Sequence, residues 1–174
     1  MAKRPQNEEE LQQREAIGVI RASRFVRRYS HDHKPVSIAT VCDIHKEIFA
    51  EAWTEIAGVY RDENLEITDS KHLPPHHSTV REHMKKAGIE FAAKLKKLKR
   101  VEGALFAGDK GSEEALQDID DIVLTAAWVH HLITYIHPFR EGNGRTARLA
   151  ANLVLERYGL VGISIKIEKE NKNT

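Results

Sequence analysis

The sequence predicts an all-α domain, and three observations carry that expectation. Apolar residues recur at helical spacing in five separate stretches. The ten glycines and five prolines gather at a few points and leave long runs free of helix breakers. The composition, 41% apolar and 30% charged over 174 residues, suits one soluble core of ordinary domain size, neither disordered nor membrane-spanning.

Each stretch carries its own punctuation. The first helix is expected from about Asn7 to Tyr29, because three glutamates follow Asn7 and favour the positive end of a helix dipole. Leu11, Ile17, Ile20, Ala22 and Phe25 form its apolar face. Pro35 breaks the chain, and Ser37 can cap a second helix striped by Val41, Ile44, Ile48, Phe49 and Ala52, ending near Gly58. Val59 to Pro75 changes character, with turn formers and a double proline, and reads as a short hairpin or extended segment. Ser78 or Thr79 then caps a third helix to about Val101, with Val80, Met84, Ile89, Phe91, Ala92 and Leu95 buried. Its basic end, KLKKLKR, reads as a solvated helix terminus with cations near the negative pole. The fourth helix, from Ser112 or Glu113 to Ile136, has apolar residues around much of its cylinder and is expected to be the central, most buried one. Pro138 stops it. A fifth helix starts at Asn143 or Gly144 and runs to a Gly159 cap.

Charge narrows the function. Twenty-seven Lys and Arg against 26 Asp and Glu leave +1, which excludes a protein that neutralises a long polyanion. The single cysteine cannot form an internal disulfide, and the start MAKRPQNEEE has no apolar signal stretch; a reducing, cytoplasmic setting follows.

The segment HPFREGNGRTAR, His137 to Arg148, is unusual for a connector. Gly142 and Gly144 flank Asn143, so the backbone can turn sharply and approach a ligand with no Cβ in the way. A helix begins there, and its free N–H groups and dipole favour a phosphate. Arg145 and Arg148, three residues apart, can converge on adjacent phosphate oxygens. His137, just before the loop, can take a proton from an attacking hydroxyl. Glu141 stands where a carboxylate would hold a divalent cation, most simply magnesium. Any one of these could belong to a plain helix connector. Together, within twelve residues, they point to phosphoryl or nucleotidyl transfer.

The same string matches, at every specified position, the pattern His-x-Phe-x-Asp/Glu-Gly-Asn-Gly-Arg-x-x-Arg of the Fic family. HKEIFAEAW and IAGVYR also resemble the upstream part of a Fic domain, and the likeness covers about Ser37 to Gly159. The resemblance implies a Fic-type helical bundle with a β-hairpin flap over the active site, spanning 37–174, with the helix of 1–36 packed on it or flanking it. It implies transfer of AMP from ATP to a Ser, Thr or Tyr hydroxyl of a target protein, possibly also of the chain itself, with magnesium. His137 would be the base, Phe139 the loop anchor and Glu141 the magnesium ligand. Gly142, Asn143 and Gly144 would form the anion hole, with Asn143 also touching the α-phosphate. Arg145 would contact the phosphates and Arg148 the γ-phosphate. The flap, with Leu65, Glu66, Ile67 and Thr68, would align a target segment by strand addition.

Two departures and two alternatives accompany the resemblance. Many Fic proteins carry an inhibitory helix, Ser/Thr-x-x-x-Glu-Gly/Asn, whose Glu pairs with the second motif arginine. Around Glu15 the string is REAIG, which lacks both flanking residues, so deregulation, a separate antitoxin-like inhibitor protein and a shortened chain stand as three open alternatives. The sequence also ends soon after the motif helix, where relatives often continue. A Doc-like kinase on the same fold is one alternative, disfavoured by the intact Gly144-Arg145 pair; a nucleotide-binding module without catalysis is the other. His130 and His131 are expected to divide between core and solvent, and His72, His76 and His77 to lie on loops. Trp53, Trp128 and Tyr60 read as packing residues, and Cys42 as buried filler.

Overall fold

The computed structural model describes residues 5–67, 70–101 and 111–163. Five helices account for most of them: α1 (Glu8–His31), α2 (Ile38–Phe49), α3 (Val80–Leu98), α4 (Ser112–Ile136) and α5 (Asn143–Arg157). Asn7 caps α1, its Oδ1 accepting the Glu10 N–H at 2.8 Å. Thr40 Oγ1 accepts the Ser37 N–H at the start of α2. Gly159, at φ 83°, ends α5, and the Leu160 N–H returns to the Leu155 carbonyl. Among the described residues, no helix is long and apolar enough to cross a membrane.

Helix α5, not α4, is the centre. It packs against α4, α1 and α2, and nine of its fifteen residues are buried. The small side chains of Ala147, Ala150 and Ala151 let neighbours close in on several sides, so it needs no long apolar run to sit in the middle. By contrast Leu116, Val123 and Leu124 of α4 are exposed. Their apolar character suggested a wider buried stripe than their phase on the helix permits. Ile89 and Ala92 of α3 depart for the same reason: Val80, Met84, Ala87, Phe91 and Leu98 face the core, and Ile89 points away at 69% exposure. On α1, Ala22 is buried and Leu11 and Phe25 pack partly on the core, while Ile17 and Ile20 face outward.

The expected hairpin is not shown. Among the described residues the chain from Val59 to Pro75 forms no strand ladder, and the one β pairing is an isolated antiparallel bridge between Tyr60 and Phe139. Side chains hold this stretch instead. Arg61 reaches three carbonyls, Asn64 Oδ1 accepts the His77 N–H at 2.9 Å, and the His72 ring stacks on Tyr135 while its Nε2 bonds the Tyr135 carbonyl at 2.8 Å. Leu65, Glu66 and Ile67 lie on this irregular segment; Thr68 lies outside the described residues.

Helix α1 approaches α2 through Gly18, where a Cβ would fall 1.9 Å from the Ile48 carbonyl oxygen. Backbone cannot yield as a side-chain tip can. Gly18→Ala is expected to lower stability by about 2 kcal/mol or more, read as an earlier urea midpoint by far-UV circular dichroism; an unchanged midpoint contradicts this packing.

Candidate active site

The loop between α4 and α5 is tied into one shape by its own residues. Asn143, buried, accepts the Phe139 N–H through Oδ1 at 2.9 Å and donates through Nδ2 to the Phe139 carbonyl at 2.7 Å. One amide thus closes residues 139–143 into a ring. Phe139 itself is fully buried and lies flat on His45, with ring centroids 3.9 Å apart and an interplanar angle of 8°.

His45 continues the support. Its Nδ1 accepts the Gly58 N–H at 2.8 Å, which fixes the tautomer and leaves Nε2–H to donate to the Glu141 carbonyl at 3.0 Å. Burial pushes its pKa down to about 4, so the ring stays neutral. Arg61, also buried, donates from Nε to the His137 carbonyl, from Nη1 to Glu63 and from Nη2 to Pro75, while its N–H bonds the Pro138 carbonyl. Both ends of the loop are therefore anchored by residues far away in sequence.

What the loop presents is a row of open donors. The first α5 bond runs from the Thr146 N–H to the Gly142 carbonyl; among the described residues the N–H groups of Asn143, Gly144 and Arg145 donate to nothing. They are the orphan donors of a helix start, and they suit an anion. Gly142 is required by the fold: at φ 73° a Cβ would also sit 2.4 Å from Phe49. Gly144 is different. A Cβ there would meet only Arg148 Nη1, at 3.5 Å, so what its bareness leaves open is room for a ligand. The Asn143 side chain is held by Phe139 through Oδ1 and one Nδ2 donor, and its backbone N–H stands open to an anion.

His137 caps α4 in a left-handed conformation, φ 52° and ψ 57°, a strain of about 1 kcal/mol or more for a non-glycine residue. The following Pro138 and the Arg61 bonds hold it there. Its ring is half-buried, and burial lowers its pKa, with the Arg61 cation adding to the effect. Neutral imidazole is favoured. Nδ1 lies 3.4 Å from the Thr134 carbonyl; a proton there leaves the Nε2 lone pair free.

Glu141 Oε1 accepts the Gly142 N–H at 3.0 Å and lies 3.6 Å from Arg145 Nη2. The residue is half-exposed. Among the described residues no group of three or more His, Cys, Asp or Glu could hold a metal, so any cation here would take one protein carboxylate and complete its shell from phosphate oxygens and water. That is the usual habit of magnesium.

Sequence reasoning passed over the partner of Arg145. Glu15 of α1, its side chain 2% exposed, forms an ion pair with the Arg145 guanidinium. Among the described residues its Oε1 is buried and meets no hydrogen-bond donor. The inhibitory string is absent, yet a glutamate reaches the motif, on its first arginine and not its second. The signal was available: a charged residue in phase with Ala22, Val26 and Ser30 on the buried side of α1. Arg145 and Arg148 also open onto a cavity of about 660 Å³ between α1 and α5, whose wall includes Val26, Leu149 and Asn152.

The remaining candidates fall as follows. His130 is half-buried and feels the Arg148 charge, whereas His131 is exposed beside Tyr135. Burial raises the Cys42 pKa, which makes it a poor nucleophile. Trp53 is buried under the Arg140 guanidinium, and Trp128 packs on Phe91.

A family model described as Fic/DOC family matches residues 35–155. The "Protein adenylyltransferase Fic" of Nematostella vectensis is 27% identical over 159 residues, 91% of this chain and 32% of that protein. The chain thus spans about a third of the length of that curated relative. Among solved structures, a Fic domain containing signaling protein from Bacteroides thetaiotaomicron aligns with a TM-score of 0.63 at 20% identity, over 95% of this chain and 54% of its own. BepC from Bartonella tribocorum, with bound AMPPNP, aligns at 0.63 and 18% identity, over 89% and 71%. At these identities the structural likeness establishes the fold.

The loop support has a pH signature. His45 is neutral when folded down to about pH 4, whereas the unfolded ring takes a proton below about 6.5. Its contribution is therefore complete above pH 6.5 and declines as pH falls towards 4, a loss of roughly 3 kcal/mol. Urea melts of wild type and His45→Asn should differ by this slope between pH 6.5 and 4; parallel curves contradict it.

Proposed function

The chain belongs to the Fic/DOC family, and from that premise we propose that it is a protein adenylyltransferase, moving AMP from ATP to a Ser, Thr or Tyr hydroxyl of a target protein. The reading rests above all on one observation: three free N–H groups at the start of α5, beside two arginines and a half-buried neutral histidine. Its relatives' names and the AMPPNP held by one neighbour support it.

The chemistry follows from the residues. The target hydroxyl oxygen attacks the α-phosphorus, and its proton passes to His137 Nε2. The bond from the α-phosphorus to the oxygen bridging to the β-phosphate breaks, and pyrophosphate leaves. The N–H groups of Asn143, Gly144 and Arg145 stabilise the charge that grows on the α-phosphate. Arg148 holds the γ-phosphate. Glu141 would hold magnesium, which supplies charge neutralisation on the phosphates when bound. The target's backbone is taken up along the segment that carries Leu65, Glu66 and Ile67. The setting is the cytoplasm.

Glu15 restrains the site in cis, on the first motif arginine. While it neutralises Arg145, that cation is unavailable to phosphate. Its carboxylate is 2% exposed, so handing Arg145 to a phosphate requires Glu15 to move out to water, since a buried charge left without its partner is strongly destabilising.

Incubation with α-labelled ATP and magnesium should label a target or the chain itself. His137→Ala should lower labelling by about a hundredfold or more, and the acid limb of the wild-type rate should lie below pH 6.5 because burial lowers the His137 pKa. Equal labelling by the variant refutes the base; label from γ-ATP alone points to a kinase. Glu15→Gln should raise labelling several-fold, whereas a fall would make Glu15 a structural support only.

A further inference from the structure

Helix α1 gives only one side to the core. Glu15, Gly18, Ala22, Val26 and Ser30 face inward. The opposite side carries Ile17 and Ile20, 63% and 55% exposed, in a shallow groove shared with Arg24 and Arg28. Steps of three, four and four residues set Ile17, Ile20, Arg24 and Arg28 along one line of the helix. The line continues backwards through Gln13 to Glu9, both exposed. Arg21, beside it, is held by Glu47 and Glu51. Among the described residues Arg24 and Arg28 meet no acid. The face therefore runs from acidic, through apolar, to unneutralised basic.

That order is complementary to itself turned end for end. We propose that this face joins two copies of the chain, with α1 of each lying antiparallel on α1 of the other about a two-fold axis between Ile17 and Ile20. The register that sets Ile17 opposite Ile20 sets Gln13 opposite Arg24 four residues out, and Glu9 opposite Arg28 eight residues out. The two-fold axis makes each pairing twice. Apolar residues close the middle and opposite charges fix the direction, as in paired helices generally. A parallel arrangement would set arginine against arginine. An anionic membrane would gain from Arg24 and Arg28 but repel the three glutamates at the other end, so a second copy fits the whole face and a lipid surface only half of it.

The contact is small, so a dissociation constant on the order of tens of micromolar is expected. Sedimentation equilibrium from about 1 to about 500 µM should reveal a dimer, weakened by salt. Ile20→Glu should weaken it at least about tenfold, with the fold verified by circular dichroism. Arg28→Glu alone should also weaken it, and the double variant Glu9→Arg with Arg28→Glu should restore it, because both ends of both copies are inverted together. A chain monomeric throughout, a dimer indifferent to Ile20→Glu, or a double variant no better than the single one overturns the proposal. So does a monomer that co-sediments with phosphatidylserine vesicles through Ile20 and Arg28.

Discussion

The hydrogen-bonded ring closed by the Asn143 amide on the Phe139 backbone is the constraint on which the site depends. An anion hole is useful only if its donors already point at one place before the ligand arrives. Here the geometry is set by a side chain bonded to the Phe139 backbone, beside a buried phenyl that in turn rests on a neutral histidine. Substituting any member would loosen the donors without touching a phosphate. The fully buried Phe139 and His45 thus connect the hydrophobic core directly to the chemistry.

Helix α1 is the second element that matters. Its inner side places a carboxylate on a motif arginine, and its outer side, exposed among the described residues, has charge separated along its length. Breaking a buried pair leaves a charge uncompensated, so Arg145 can lose this partner only if Glu15 leaves its buried position. Because one helix carries both features, whatever holds α1 in place also bears on whether Arg145 is free.

The catalytic loop was legible because its logic is local. Proline stops one helix, glycines shape the turn, and the candidate site residues lie within twelve positions. His45, Arg61 and Glu15 were not legible in this way, since their partners lie 96, 76 and 130 residues away. Periodicity found the five helices yet misjudged Ile17, Ile20, Ile89 and Leu124, because apolar type does not reveal helix phase. The α4 and α5 roles were exchanged for a related reason: alanine-rich α5 is buried by closeness of approach, which hydropathy does not register. The hairpin is not shown among the described residues, where side-chain bonds of Arg61, Asn64 and His72 tie the segment to other elements.

The central claim is that the first turn of α5 receives the triphosphate. It is tested most directly by following backbone amides in a 15N–1H correlation spectrum as ATP and magnesium are added to the wild-type chain. The amides of Asn143, Gly144 and Arg145 should move most and move downfield, as new charge-assisted hydrogen bonds require. Saturable shifts elsewhere, with these three unmoved, would contradict the account.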